Sequence, residues 1–104
     1  MDAAMAVCAC GIAYVYTMSE AMADGGVKMG LTRTMASQLA MQTIKGAGEL
    51  MQKQFGLKHP MQLKDEVCSP GGTTIHGMHE LERNGFRNAV ICAIEAAANR
   101  AKQF

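Results

Sequence analysis

The sequence predicts an all-α protein, a helical bundle forming a single domain over residues 1–104, and three observations lead there. Apolar residues return at three- and four-residue steps in successive segments, with glycines and prolines as punctuation. A chain of 104 residues with 49% hydrophobic content suits one compact domain rather than two. Ten methionines against 5% aromatic residues describe an interior of flexible, unbranched side chains, which fill irregular interfaces between helices well.

Residues 12–23 read as the first helix, with Gly25 as its stop. Thr32 can cap a long second helix, in which Met35, Leu39, Thr43, Ala47, Leu50 and Met51 recur as a buried stripe. Gly46 and Gly48 lie inside it at a cost of up to ~1 kcal/mol each relative to alanine, so they point to a close helix crossing or a local bend. Residues 60–67 make a short turn or helix. A fourth segment runs over residues 73–84, where Asn84-Gly85 supplies a stop. The last, from Phe86 to about Lys102, carries Phe86, Val90, Ala93, Ile94, Ala97 and Ala101 on one side. Long apolar helices in so small a chain leave surface that one protomer does not cover, which calls for a partner.

Several function classes drop out. A net charge of +1, with 18% charged residues and no basic run, argues against nucleic acid. The most apolar stretch, residues 3–16, falls short of the roughly 20 residues a membrane span needs and is interrupted by Gly11, so no membrane span is expected. No basic residue precedes it, as one would in a secretion signal. A dinucleotide-binding Rossmann unit needs a strand, Gly-x-Gly-x-x-Gly and a helix. The nearest cluster, Gly25-Gly26 with Gly30, follows a helical pattern and serves best as a helix stop, so no cofactor-binding residue is expected in this chain. Cys8, Cys10, Cys68 and Cys92 lack zinc-knuckle spacing and read as small buried thiols. His76 and His79, three apart, would make half a metal site, but third and fourth ligands are missing and no metal is expected.

The chemistry concentrates where Ser69-Pro70-Gly71-Gly72-Thr73-Thr74 runs from a polar approach into a helix. Pro70 fixes one torsion, Gly71 and Gly72 can take positive φ and leave the backbone uncovered, and Thr73 and Thr74 open the helix with hydroxyls and N–H groups on one side. Such a start favours a carboxylate or phosphate. Spacing alone favours a capped helix start whose donors are met by Ser69 and water, since most such starts serve only the helix.

The segment also resembles the signature of the pyrroline-5-carboxylate reductases. His59-Pro60-Met61-Gln62-Leu63-Lys64-Asp65 is similar to the family's approach to its substrate loop, and Asn84-Gly85-Phe86-Arg87 to the start of its last helix. Upstream, Ala23-Asp24-Gly25-Gly26-Val27-Lys28-Met29-Gly30-Leu31 resembles the run after the first helix of its C-terminal domain, and Gly11-Ile12-Ala13-Tyr14 its Gly-Pro-Ala-Tyr. The resemblance spans essentially the whole chain but only the family's C-terminal helical domain, so the chain is expected to begin at a domain boundary.

That resemblance implies an interlocked homodimer or higher homo-oligomer. Its reaction is reduction of 1-pyrroline-5-carboxylate to L-proline with NADPH or NADH in the complete enzyme, in the cytoplasm or, alternatively, the mitochondrion. Backbone groups of Gly71, Gly72, Thr73 and Thr74 would hold the substrate carboxylate, and the Thr74 hydroxyl, the catalytic group, would stand near the ring nitrogen. Without a cofactor domain the chain alone is expected to be inactive. Two departures stand out. Gly56-Leu57-Lys58 precedes His59-Pro60 where many members carry an acidic residue, and Ile12 replaces a proline. The alternative reading is a noncatalytic helical interaction protein that pairs with full-length reductase subunits; a third is an unrelated methionine-rich bundle.

Overall fold

In a computed structural model, which describes residues 2–103, the chain folds into five helices: α1 (Asp2–Lys28), α2 (Arg33–Lys53), α3 (Pro60–Val67), α4 (Thr73–Arg83) and α5 (Phe86–Ala101). There is no strand among the described residues. α1 packs along both α2 and α5, and α4 touches α5.

α1 and α2 form an antiparallel hairpin whose turn is specified residue by residue. The Leu31 N–H reaches back to the Gly26 carbonyl and the Gly30 N–H to the Val27 carbonyl, each at 3.0 Å. This pair is the Schellman closure of a helix, and it puts Gly30 at φ 111°, a torsion that favours glycine. Thr32 then caps α2, its hydroxyl accepting from the Met35 N–H at 3.2 Å. Across the hairpin Arg33 pairs with Asp24 at 2.7 Å and Glu20 at 3.5 Å. All three are well exposed, so these pairs set register more than stability.

The buried positions are all small residues. Ala6, Ala23, Ala36 and Ala40 are the buried residues of the described chain. A Cβ on Gly26 would stand 3.1 Å from the Ala36 Cβ and 3.2 Å from Leu31 Cδ1, which shows how closely α2 approaches there. On the other flank of α1, the Tyr14 hydroxyl donates to the Ala93 carbonyl at 3.4 Å and ties α1 to α5.

Several sequence expectations change. α1 begins at Asp2 rather than Ile12 and runs through Gly11 and Gly25; the chain turns at Gly30 because the Schellman bonds close there. At 27 residues α1 is therefore long and apolar enough to cross a membrane by length and composition, which the supposed break at Gly11 had excluded. It nevertheless carries Glu20, Asp24 and Lys28 and is packed on two other helices. The α2 stripe is also shifted. Met35 and Leu39 are 51% and 54% exposed, while Ala36 and Ala40, one position round the helix, face α1. The bulky stripe is largely exposed on the single chain, although Leu39 and Thr43 still border a cleft with Met22 and Gly26 of α1. Finally, the thiols are not buried: all four are free, with Cys8 and Cys92 exposed. Gly46 and Gly48 neither break α2 nor approach another part of the chain.

The consequence is an open molecule. Its accessible surface is 8135 Å² and its radius of gyration 15.5 Å. A folded monomer of 11.1 kDa shows about 5,700 Å², and one of this length has a radius of about 13 Å. The excess of roughly 2,400 Å² per chain matches one partner's share of an obligate interface.

Gly26→Val is expected to destabilise the fold by about 1–3 kcal/mol through overpacking against Ala36 and Leu31. Gly26→Ala is expected to cost less, since its neighbours need yield only a few tenths of an ångström. Thermal melts of the two variants beside the parent would check the order.

Candidate functional site

α3 leads into the site and is unusually well fixed for eight residues. The His59 ring nitrogen Nδ1 accepts from the Met61 N–H at 3.0 Å, while the Gln62 side-chain oxygen accepts from the His59 N–H at 2.7 Å. Pro60 sits at the first helical position, where its missing N–H costs nothing. An ion pair between Lys58 and Glu66 braces the approach. α3 ends at Cys68, whose N–H bonds to the Lys64 and Asp65 carbonyls.

The chain then makes one tight turn. The Gly72 N–H donates to the Ser69 carbonyl at 3.1 Å, closing a four-residue turn with Pro70 and Gly71 at its centre. Proline at the second position and φ 67° at the third are the requirements of a type II turn, and Gly71 meets the second of them. Gly72 is different. At φ −80° and ψ 178° its backbone suits any residue, so positive φ is not its reason. A Cβ there would stand 2.3 Å from Ser69 Oγ and 3.3 Å from the Ser69 carbonyl oxygen, so glycine lets the Ser69 hydroxyl lie over the turn.

Gly72 is also the N-cap of α4, and no side chain caps that helix. The N–H groups of its first turn, beginning with Thr73 and Thr74, thus lack both intrahelical partners and a side-chain cap. Capping by Ser69 does not occur: its carbonyl engages the Gly72 N–H, and its hydroxyl does not cap the first turn. Thr73 is exposed and Thr74 half-buried. The Gly72 N–H, grouped with these donors by sequence, is instead committed to the turn.

Beside the loop lies a groove of about 490 Å³ whose lining includes Lys64, His76, His79, Glu82 and Arg87. Lys64 holds its proton more tightly than an ordinary lysine, chiefly through its hydrogen bond to the Asp65 carboxylate at 2.7 Å, against the opposing effects of desolvation and Arg87. Arg87 pairs with Glu82 at 3.3 Å and donates to the Met61 sulfur at 3.2 Å, which joins α5 to α3. The groove's polar face thus carries two cations, each paired with a carboxylate, and its lining does not include Thr73 or Thr74.

Sequence reasoning missed one member. His76 Nδ1 lies 2.7 Å from the Gly72 carbonyl oxygen, one turn back along α4. The four-residue spacing from an N-cap was the available signal, but the His76/His79 pair drew the reading toward metals. Among the described residues no three His, Cys, Asp or Glu side chains gather as a metal site.

This arrangement offers an uncapped helix start, bonded locally on both sides, whose free donors and positive helix end suit a small carboxylate.

Comparison with known proteins bears on which carboxylate. The family model for pyrroline-5-carboxylate reductase dimerisation matches residues 1–104. Pyrroline-5-carboxylate reductase 3 of Danio rerio is 52% identical over 103 residues, covering 99% of this chain and 35% of that protein. The Glycine max reductase is 52% identical over 102 residues, 98% of this chain and 36% of its own length. The chain thus spans about a third of these relatives. Among solved structures, the Plasmodium falciparum pyrroline carboxylate reductase with NADP bound superposes with a TM-score of 0.93 at 45% identity, over 99% of this chain and 38% of that one. The Streptococcus pyogenes enzyme gives 0.94 at 35% identity, over 99% and 39%. A family match along the full chain, with relatives about half identical over nearly all of it, means that the chain belongs to the pyrroline-5-carboxylate reductase dimerisation family.

Proposed function

We propose that residues 1–104 form the dimerising and substrate-holding domain of a reductase that converts 1-pyrroline-5-carboxylate to L-proline with NADPH or NADH. The observation that carries this reading is the uncapped start of α4 behind a type II turn, in a chain whose relatives are named for that reaction. A second copy of the chain covers the exposed α1 and α2 stripes, making a homodimer with a site on each protomer.

The division of labour follows from what the residues offer. The Thr73 and Thr74 N–H groups, at the positive end of α4, bind the substrate carboxylate. Gly71 shapes the turn, and Gly72 gives the Ser69 side chain room beside it. The Thr74 hydroxyl lies beside the ring nitrogen and helps hold the imine in its protonated form, which makes the adjacent carbon the better hydride acceptor. Charge-assisted hydrogen bonds of ~1.5–3 kcal/mol each are enough, in twos and threes, to hold so small a ligand. The nicotinamide dinucleotide supplies the hydride in the complete enzyme. The sequence holds no Gly-x-Gly-x-x-Gly run to cradle it, and the roles assigned to these residues are to bind, orient and support the proton.

Two outcomes test the proposal. L-Proline titrated into the chain is expected to shift the Thr73 and Thr74 amide resonances, and Thr74→Val to weaken that binding about tenfold, the equivalent of one ~1.4 kcal/mol hydrogen bond. Its melting curve should stay close to the parent's. Unshifted amides, or loss only in step with unfolding, would make the loop a helix start alone. Separately, the chain is expected to leave NADPH and NADH unoxidised in the presence of pyrroline-5-carboxylate. Turnover proportional to protein would reveal a cofactor site in α1–α5.

A further inference from the structure

We infer that His76 is a positioning residue for the loop, its imidazole holding the peptide plane that presents the Thr73 N–H to a carboxylate. The inference deepens the proposed function and rests on the carboxylate being bound at these donors.

The Gly72 carbonyl and the Thr73 N–H belong to one planar trans peptide, so they point in opposite directions and turn together. Fixing the oxygen fixes the donor. His76 Nδ1 is 2.7 Å from that oxygen. A carbonyl only accepts, so this contact assigns the proton to Nδ1. Upstream the plane has little other restraint. Gly72 has no side chain, and Gly71 before it is already in the left-handed region.

The other helix starts show what is distinctive. The cap carbonyls of Thr32, His59 and Gly85 each receive a backbone N–H, at 2.9, 3.2 and 2.8 Å. In α2 and α3 a cap side chain also covers a first-turn donor: Thr32 takes the Met35 N–H and His59 the Met61 N–H. At α4 the side chain acts on the opposite end of the peptide, holding the carbonyl and leaving the donors uncovered. A side chain that merely stabilised the helix would be better placed on the donors. One that holds the carbonyl fixes the donors' direction while leaving them for a ligand.

The test titrates L-proline into the full chain and follows amide resonances, with a melt of each variant. His76→Leu is expected to weaken binding about five- to tenfold, and His76→Phe, which keeps the ring's bulk without the donor, to do the same should the leucine variant melt early. His76→Asn is expected to restore affinity to within about threefold. An asparagine reaches the carbonyl four residues back elsewhere in this chain, where Asn84 Nδ2 donates to the Glu80 oxygen at 2.8 Å. A purely structural role would not single out that substitution for rescue.

Thr73→Pro separates this inference from the reading beneath it. Proline removes the donor itself, yet suits the first position of a helix, and the extended Gly72 backbone is what a residue before proline adopts. With Thr73→Ala as the control that keeps the N–H, the proline variant is expected to lose binding. Loss in Thr73→Pro with parental affinity in both His76→Leu and His76→Phe would overturn the role of His76 and leave the site intact. Failure of His76→Asn to rescue would overturn it as well. A parent chain that binds no L-proline, or a Thr73→Pro variant that binds like Thr73→Ala, would overturn the site and this inference with it.

Discussion

The constraint on which this structure depends is that its helices cannot bury their own apolar faces. The interior of the single chain is a seam of alanines, Ala6, Ala23, Ala36 and Ala40, and no large side chain is fully buried among the described residues. Alanine faces bring helices close together but contribute little transfer free energy, because each removes so little area from water. The large side chains, Tyr16 at 70% and Ile91 at 64% exposure among them, lie outside that seam. An arrangement of this kind stabilises a pair of chains far more than one, since the bulky stripes become a core only when something apolar meets them.

The same constraint places the functional loop. α1 touches α2 and α5, α5 carries α4, and α3 is linked to α5 through Arg87 and Met61. The turn and the start of α4 therefore lie at the edge of the bundle, away from the α1–α2 seam. The loop's order comes from local bonds: the Gly72 N–H to Ser69, the capping box of α3 and the His76 contact. Its glycines serve distinct ends. Gly71 supplies a torsion, and Gly72 supplies clearance under the Ser69 hydroxyl.

Much of this was legible in the sequence. Thr32, the Pro60 helix, Thr73 and the Asn84-Gly85 stop all mark observed boundaries, because caps and turns are decided by neighbours along the chain. What was misread depends on partners distant in sequence or in another chain. The end of α1 was placed at Gly25, but a glycine inside a helix looks the same as one that stops it until the Leu31 and Gly30 bonds are seen. The stripe on α2 is apolar as its spacing predicts but largely exposed on the single chain, since periodicity finds a face without saying what covers it. The place of His76 is legible only in the fold for a similar reason: its residue type suggests a ligand to metal, and the position of the Gly72 carbonyl gives it a different task.

The central claim, that this fold is completed by a second copy of itself, is tested most directly by its response to dilution. Sedimentation equilibrium on the chain, with thermal melts over a hundredfold range of concentration, separates the alternatives. The account predicts a species of twice 11.1 kDa or a multiple of it. It also predicts a melting temperature that falls by about 3–4 °C for each tenfold dilution, as expected for a dimer that unfolds as it dissociates. A folded species of 11.1 kDa whose melting temperature is unchanged by dilution would contradict it.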